Sequence, residues 1–266
     1  MAVNLRAVLS DKCNYRCVFC SRDFNSAVNL DMQPEFLETC IEVFSSLGGT
    51  KITYTGGEPL IYPELMRIMK FADSLGLMNS VTTNAAMLNV QPEEFYSLAG
   101  ALNISIPSFD PEEYTSLTGG KSLESVKHNA VYAAGLGLKV KINCVYTEDR
   151  ELMIEEMIDY FAPHGITVKI MNDMLAGKEY YSAFMKYVSR FRNDRRAEIE
   201  SALNPGYAFC EDCNITRKSS CPSCRSLWVY PDGKITLCPF DGAKSYLHSC
   251  RAEIYTHVKE LMNYDG

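Results

Sequence analysis

Apolar and polar positions along the first part of the chain fall into two alternating rhythms. Short runs rich in β-branched residues, at 5–10, 51–55, 80–83, 103–107, 139–146 and 167–171, are separated by stretches whose apolar residues recur at helical spacing. The first rhythm predicts strands. The second predicts amphipathic helices in PEFLETCIEVFSSLG, YPELMRIMKFADSLG, PEEFYSLAG, SLESVKHNAVYAAGLG and RELMIEEMIDYFAPHG. Several of these begin near Pro and end at Gly, residues that start and stop helices. Strand and helix in alternation predict β/α units around a parallel sheet. Six such units are too few to close an eight-fold barrel, so the expected fold is α/β, an open, partial (β/α)6 TIM barrel over residues 1–175. Its site should lie at the carboxyl ends of the strands.

Past residue 172 the rhythm changes. YYSAFMKYVSRFRNDRRAEIESAL reads as a charged helical stretch whose basic run, 190–196, is a solvated face, and a loop-rich cysteine segment and a short helix near 252–262 follow. Pro231-Asp232-Gly233 between LWVY and KITLC predicts a hairpin turn. Residues 176–266 are therefore expected to form a small cysteine-rich C-terminal extension.

Composition narrows the picture. A chain of 266 residues with 47% hydrophobic content can bury one large core. A net charge of -7 argues against nucleic acid as a partner, because phosphate binding rests on basic patches. With no long apolar run and no signal-like N-terminus, the expectation is a cytoplasmic protein with no membrane partner. Eleven cysteines without any mark of export point to metal or cluster ligation rather than disulfides. They gather at the two ends of the chain, which suggests two metal centres, while Cys40 on a helix face and Cys144 in a strand read as core residues.

The first group, Cys13, Cys17 and Cys20, stands in DKCNYRCVFCS directly after the first expected strand. Thiolates suit iron–sulfur clusters and zinc alike, but structural zinc takes four ligands, and no further Cys or His occurs before Cys40. Three cysteines on a cubane leave one iron open, and a ligand with an amine and a carboxylate can chelate it. Gly56-Gly57-Glu58-Pro59 after the second expected strand agrees with such a ligand: the glycines let backbone approach it, and Glu58 offers an acceptor for an amine.

With these motifs the sequence resembles the radical SAM superfamily, whose signature is Cys-x3-Cys-x2-Cys with a Gly-Gly-Glu-Pro loop. The resemblance implies a [4Fe-4S] cluster, S-adenosylmethionine (SAM) as cofactor, an electron donor such as flavodoxin or ferredoxin, and a 5′-deoxyadenosyl radical that takes hydrogen from a substrate. It also implies SAM contacts from Thr83, Asn84 and Ser105 at the ends of later strands.

Near the C-terminus, Cys221, Cys224 and Cys238 can share a second [4Fe-4S] centre, completed by Cys210, Cys213, Cys250 or the substrate. A zinc ribbon on Cys210, Cys213, Cys221 and Cys224 is the alternative. Within the superfamily, LRAVLSDKCNYRCVFC, KITYTGGEPL, ISIPSFDPEEYTSLTGG, KVKINCVYTED and CPSCRSLWVYPDGKITLC resemble blocks of the molybdenum-cofactor cyclases that act on GTP and carry a C-terminal auxiliary-cluster segment. Arg6, Lys51 and Lys141 match basic residues of that group's GTP site, but Thr53, Ser226 and Trp228 stand where it has arginines, and its Gly-Gly tail is missing. Losing charge-assisted contacts worth about 1.5 to 3 kcal/mol each argues against GTP cyclisation. Trp228 is either a stacking surface for a ring or a hairpin core residue.

The expected function is thus hydrogen abstraction from a nucleotide or similarly polar small molecule, bound by Arg6, Lys51, Lys141 and Trp228, in a biosynthetic pathway. A peptide-modifying radical SAM maturase is the second reading, disfavoured because the first cluster motif begins at residue 13 and leaves no room for a preceding recognition domain. A zinc-ribbon binding protein is the third.

Overall fold

The computed structural model describes residues 4–20, 30–120, 122–171, 178–190, 199–201, 226–237 and 245–262. Its sheet takes β1 (Asn4–Val8), β2 (Lys51–Thr55), β3 (Met78–Thr83), β4 (Ala99–Ser105), β5 (Lys139–Val145), β6 (Thr167–Met171), β7 (Ile199–Ser201), β8 (Ser226–Val229) and β9 (Ile235–Thr236). The helices are α1 (Pro34–Ser46), α2 (Leu65–Ser74), α3 (Glu93–Leu98), α4 (Pro111–Thr118), α5 (Leu123–Gly135), α6 (Glu151–Phe161), α7 (Lys178–Arg190) and α8 (Arg251–Met262). The order across the sheet is β7-β6-β5-β4-β3-β2-β1-β8-β9, with every pairing parallel except β8 with β9. The sheet is open, as a partial barrel requires.

Each of the six expected strands is present, β2 and β6 with the expected bounds and the other four with shifted ends. β4 begins at Ala99 because α3 stops at Leu98, and Gly100 is the extra residue where the β3–β4 register jumps from Asn79↔Ala99 to Ser80↔Ala101. The longer charged helix does not form as expected: α7 ends at Arg190, and residues 199–201 pair with the outer edge of β6 instead. An open sheet edge supplies backbone partners that a polar helix end lacks, so tertiary pairing overrides the helical pattern. The hairpin at 231–233 forms, with Gly233 at φ +83° and Tyr230 and Lys234 joined across it. Its first strand docks in parallel on β1, so the hairpin extends the barrel sheet on the side opposite β7.

Apolar runs alone do not reveal α4, whose buried residues are only Tyr114 and Thr118. Punctuation makes it: the Asp110 side chain accepts from the Glu113 N–H, Pro111 opens the first turn, and Gly119 closes it at φ +63°.

Strand parity divides the sheet. Leu5, Ala7, Ile52, Tyr54, Val81, Leu102, Ile104, Val140, Ile142, Val168, Ile170, Leu227 and Val229 are buried against the helices, and Cys40 and Cys144 join that core as expected. Burying each large apolar side chain contributes about 1.5–3 kcal/mol, so this layer fixes the register of every strand. Arg6, Thr53, Thr55, Ser80, Thr82, Asn103, Ser105, Lys141, Asn143, Lys169 and Trp228 take the opposite, concave face.

Candidate active site

The chain leaves β1 into a long excursion whose base is zipped shut. Ser10 bridges Asp31, Met32 N–H donates to Leu9 C=O and Asp11 N–H to Leu30 C=O. The Asp31 carboxylate accepts from Ser10 Oγ at 2.6 Å and Lys12 Nζ at 2.5 Å. Burial works against that charge, but those two hydrogen bonds outweigh it and hold the pKa of Asp31 below the usual carboxylate range. Two further anchors fix the turns within the excursion. Arg16 and Val18 N–H groups donate to Thr118 and Leu117 C=O at the end of α4, and Gly57 and Glu58 N–H groups donate to Ser10 and Lys12 C=O.

Gly56 is required by the second anchor. Its φ is +133°, and a Cβ there would lie 2.7 Å from Ser10 O. Gly56 thus permits a close approach to the backbone of the cysteine excursion.

A cavity of about 220 Å³ opens at this end of the barrel, lined by Cys13, Cys17 and Cys20 on one side and by residues 55–58, Thr82, Thr83, Asn84 and Ser105 on the other. Every residue that the sequence assigns to the first cluster and to SAM lines it. Sequence reasoning missed Tyr15 and Phe19, which line it too. The signal was available, since both are aromatics between the cysteines of the motif. Tyr15 N–H donates to Cys13 Sγ at 3.4 Å, and the Tyr15 ring packs edge-on against Tyr114, whose hydroxyl it meets at 3.3 Å.

Glu58 lines the cavity and is also bonded to the loops around it. It is 1% exposed, and its carboxylate accepts from Thr83 Oγ1 at 2.6 Å, Asn84 N–H at 2.8 Å and Leu60 N–H at 3.0 Å. It braces the loop after β2 against the loop after β3. Burial raises its pKa despite the three donors that favour the charged form. Asn84 reaches back to the cysteine excursion, its amide nitrogen 2.7 Å from Asn14 Oδ1 and 4.0 Å from Cys13 Sγ.

Burial, and then the neighbouring Cys13 and Cys20 thiols, push the Cys17 thiol up to about 11. Thiolates crowded in this way are stabilised by cations. Among the described residues no three Cys, His, Asp or Glu side chains converge as a single metal ion needs. The three thiols line one cavity, where a cluster would give each thiolate its own iron. The donor set thus fits an iron–sulfur cubane. Cys210, Cys213, Cys221, Cys224 and Cys238 lie outside the described residues, and Cys250 is an exposed free thiol before α8.

A family model for the radical SAM superfamily matches residues 7–171. The chain belongs to that superfamily. Radical SAM membership carries with it a [4Fe-4S] cluster and SAM. Among curated radical SAM relatives, the chain is 26% identical to a probable GTP 3′,8-cyclase of Methanothermobacter thermautotrophicus, over 89% of this chain and 84% of that protein. It is 27% identical to the GTP 3′,8-cyclase of Aquifex aeolicus, over 89% and 81%. In fold it is similar to Streptococcus suis SuiB bound to S-adenosylmethionine, with a TM-score of 0.71 at 18% identity. That match covers 96% of this chain but only 66% of the SuiB chain. It is also similar to anSMEcpe with bound AdoMet, at a TM-score of 0.69, 17% identity and coverage of 95% and 79%. Among the described residues no helix is long and apolar enough to cross a membrane.

The candidate substrate residues share the concave face of this radical SAM barrel. Thr53 and Trp228 flank Arg6 in register on β2 and β8. The Arg6 guanidinium lies over the Trp228 ring at 5.1 Å, and its Nε is 3.4 Å from Ser226 Oγ. Thr53 Oγ1 donates to Asn4 Oδ1 at 3.0 Å. All three departures from the cyclase pattern therefore gather around one arginine. Trp228 is half-buried and stacked on Tyr230 at 16° and 6.2 Å, so it belongs to the concave face and not to the hairpin core. Lys51 opens β2 two positions before Thr53, while Lys141 on β5 is in register with Asn103 on the neighbouring β4. Sequence reasoning passed over Lys169, which shares a register row with cavity-lining Ser105 through Asn143.

Proposed function

We propose that this protein is a radical SAM enzyme that abstracts hydrogen from an anionic small molecule, a nucleotide or a similarly polar metabolite, in a biosynthetic pathway. The observation that carries the reading is the sign of the concave face. In a chain of net charge -7, the face carries Arg6, Lys51, Lys141 and Lys169; β1 to β6 and β8 contain no Asp or Glu, and the edge strand β7 brings Glu200 into register with Lys169. Cations arranged along a concave wall attract and orient an anion.

In this reading Cys13, Cys17 and Cys20 hold the [4Fe-4S] cluster, and the backbone of Gly56, Gly57 and Glu58 walls the SAM site together with Thr83, Asn84 and Ser105. Bound there and given one electron by a flavodoxin- or ferredoxin-type donor, the cluster and SAM would supply hydrogen-atom abstraction from the substrate, with SAM cleaved to methionine and 5′-deoxyadenosine. Arg6, Lys51, Lys141 and Lys169 grip the substrate's phosphate or carboxylate, and Trp228 with Tyr230 offers a flat surface to a ring. With Thr53, Ser226 and Trp228 around Arg6 in place of arginines, the grip suits fewer negative charges than a triphosphate carries.

Cys221, Cys224 and Cys238 are proposed to hold a second [4Fe-4S] cluster that binds substrate or accepts an electron from the product radical. Cys238→Ala should then keep SAM cleavage while losing product.

Equilibrium dialysis of the anaerobically reconstituted enzyme against nucleoside monophosphates and triphosphates tests the substrate reading. Binding that favours the less charged ligands and falls in Arg6→Ala supports it. A precursor peptide that co-purifies and is modified would replace it with the maturase reading.

A further inference from the structure

The turn after β3 contains the only described non-glycine residue at positive φ, Ala85 at +61°. An L residue enters this region at a cost, and it is held there only where the surroundings over-determine it. Ala85 is fully buried. Its N–H donates to Thr83 Oγ1 at 2.9 Å, and its carbonyl accepts from the Asn129 side-chain amide at 2.9 Å. Asn84 Oδ1 accepts from the Ala86 N–H at 3.0 Å, which closes the turn locally. The turn therefore has two outside anchors: Glu58 holds Thr83 and Asn84, and Asn129 holds Ala85.

Asn129 lies in the middle of α5 on its buried face, alongside Val126, Ala130 and Ala133. An asparagine there is a poor helix former, and burying its amide costs free energy unless a partner is found. An apolar residue would serve the helix better. The Asn129 side chain is directed at the one backbone carbonyl whose position depends on a strained turn, and it does not line the cavity itself.

We propose that Asn129 is a positioning residue for the cofactor site: its amide holds the left-handed Ala85 turn and so fixes Asn84 against Asn14 and Cys13 on the cysteine excursion. This rests on reading the cavity as the SAM site. If the Asn129 amide is lost, Ala85 relaxes toward ordinary backbone angles, its carbonyl rotates and Asn84 swings away from the cavity wall. Glycine at position 85 would adopt the left-handed conformation without help.

The test compares wild type, Asn129→Leu and Asn129→Leu combined with Ala85→Gly, each as the reconstituted holoenzyme. Leucine keeps the branching at Cγ and the number of side-chain heavy atoms and suits a helix, and Asn129→Ala serves if the bulkier variant does not fold. SAM affinity is read from the change SAM makes to the reduced cluster's electron paramagnetic resonance spectrum. Hydrogen exchange at the amides of residues 84–86 is read in the apoprotein. Relief of one strained residue predicts about tenfold weaker SAM binding in Asn129→Leu at unchanged iron content, with faster exchange confined to the turn. Adding Ala85→Gly should return affinity to within about threefold of wild type. Wild-type affinity in Asn129→Leu, or failure of Ala85→Gly to rescue it, overturns the role of Asn129 alone. A wild-type holoenzyme that leaves SAM unbound overturns the cofactor site together with it.

Discussion

At the rim of the barrel, polar side chains are spent on one another. Glu58 is buried and gives its carboxylate to Thr83, Asn84 and Leu60, and Asn84 in turn reaches Asn14. On the concave wall below, Arg6, Lys51, Lys141 and Lys169 share a face, with Glu200 of the edge strand β7 in register with Lys169. The rim is built to hold loops in one geometry, whatever the substrate. In the proposed reading the wall presents charge to the substrate, so its composition would change what binds while the rim stays the same. Two residues illustrate the contrast. Replacing Glu58 should disturb the fold near the cluster, whereas replacing Arg6 should leave the fold alone and alter only what is bound.

Gly56→Ala is expected to have the largest effect. It forces an L side chain into φ +133° with its Cβ 2.7 Å from Ser10 O, at a cost of about 3 kcal/mol, and the cysteine excursion must separate from β2 to relieve it. Urea unfolding together with iron content after reconstitution measures both consequences, and full iron loading at wild-type stability would refute the anchor.

Glu58→Gln should follow at about 2 kcal/mol. Both carboxylate oxygens accept from backbone N–H groups, so a glutamine amide must point its NH2 at one of them. A variant as stable as wild type would mean that the brace is not needed.

On the wall, Arg6→Ala or Lys141→Ala should raise the KM for substrate about tenfold, the effect of one charge-assisted contact, with thermal stability and SAM binding retained. An equal fall in SAM binding would erase the distinction between rim and wall.

Asp31→Asn should be smallest, below about 1 kcal/mol, because its pair with Lys12 is partly exposed, at 39% and 54% for the two side chains. The folded-state pKa of Asp31 is depressed, so its contribution is present above the unfolded carboxylate value, about 4, and is lost as pH falls through the folded value. Wild type and variant should therefore differ at pH 7 and converge in acid. A gap that widens as pH falls would contradict the sign.

Much of this was legible in the sequence, for identifiable reasons. The cysteine spacing and the glycine pair could be read because few other arrangements satisfy the same ligand chemistry or the same backbone angle. The six strands could be read because each buries alternate residues on a shared core. The bonds of Glu58 to Thr83, Asn84 and Leu60 were not legible, since a motif records that a carboxylate is needed but not which groups of the fold it also meets. The strand at 199–201 was hidden because its partner is the edge of β6, many residues earlier. Asn129 and Lys169 gave no local signal: the first is meaningful only beside the Ala85 carbonyl, and the second only beside Asn143 in register.

The central claim is that Cys13, Cys17 and Cys20 hold the cluster that cleaves SAM. Its most direct test is 5′-deoxyadenosine formation by anaerobically reconstituted, reduced wild type and Cys17→Ala, with iron and sulfide measured in each. The account predicts 5′-deoxyadenosine and matched iron and sulfide in wild type, with loss of 5′-deoxyadenosine and of the first cluster's iron in Cys17→Ala. SAM cleavage retained in Cys17→Ala, or wild type that carries zinc without sulfide, would contradict it.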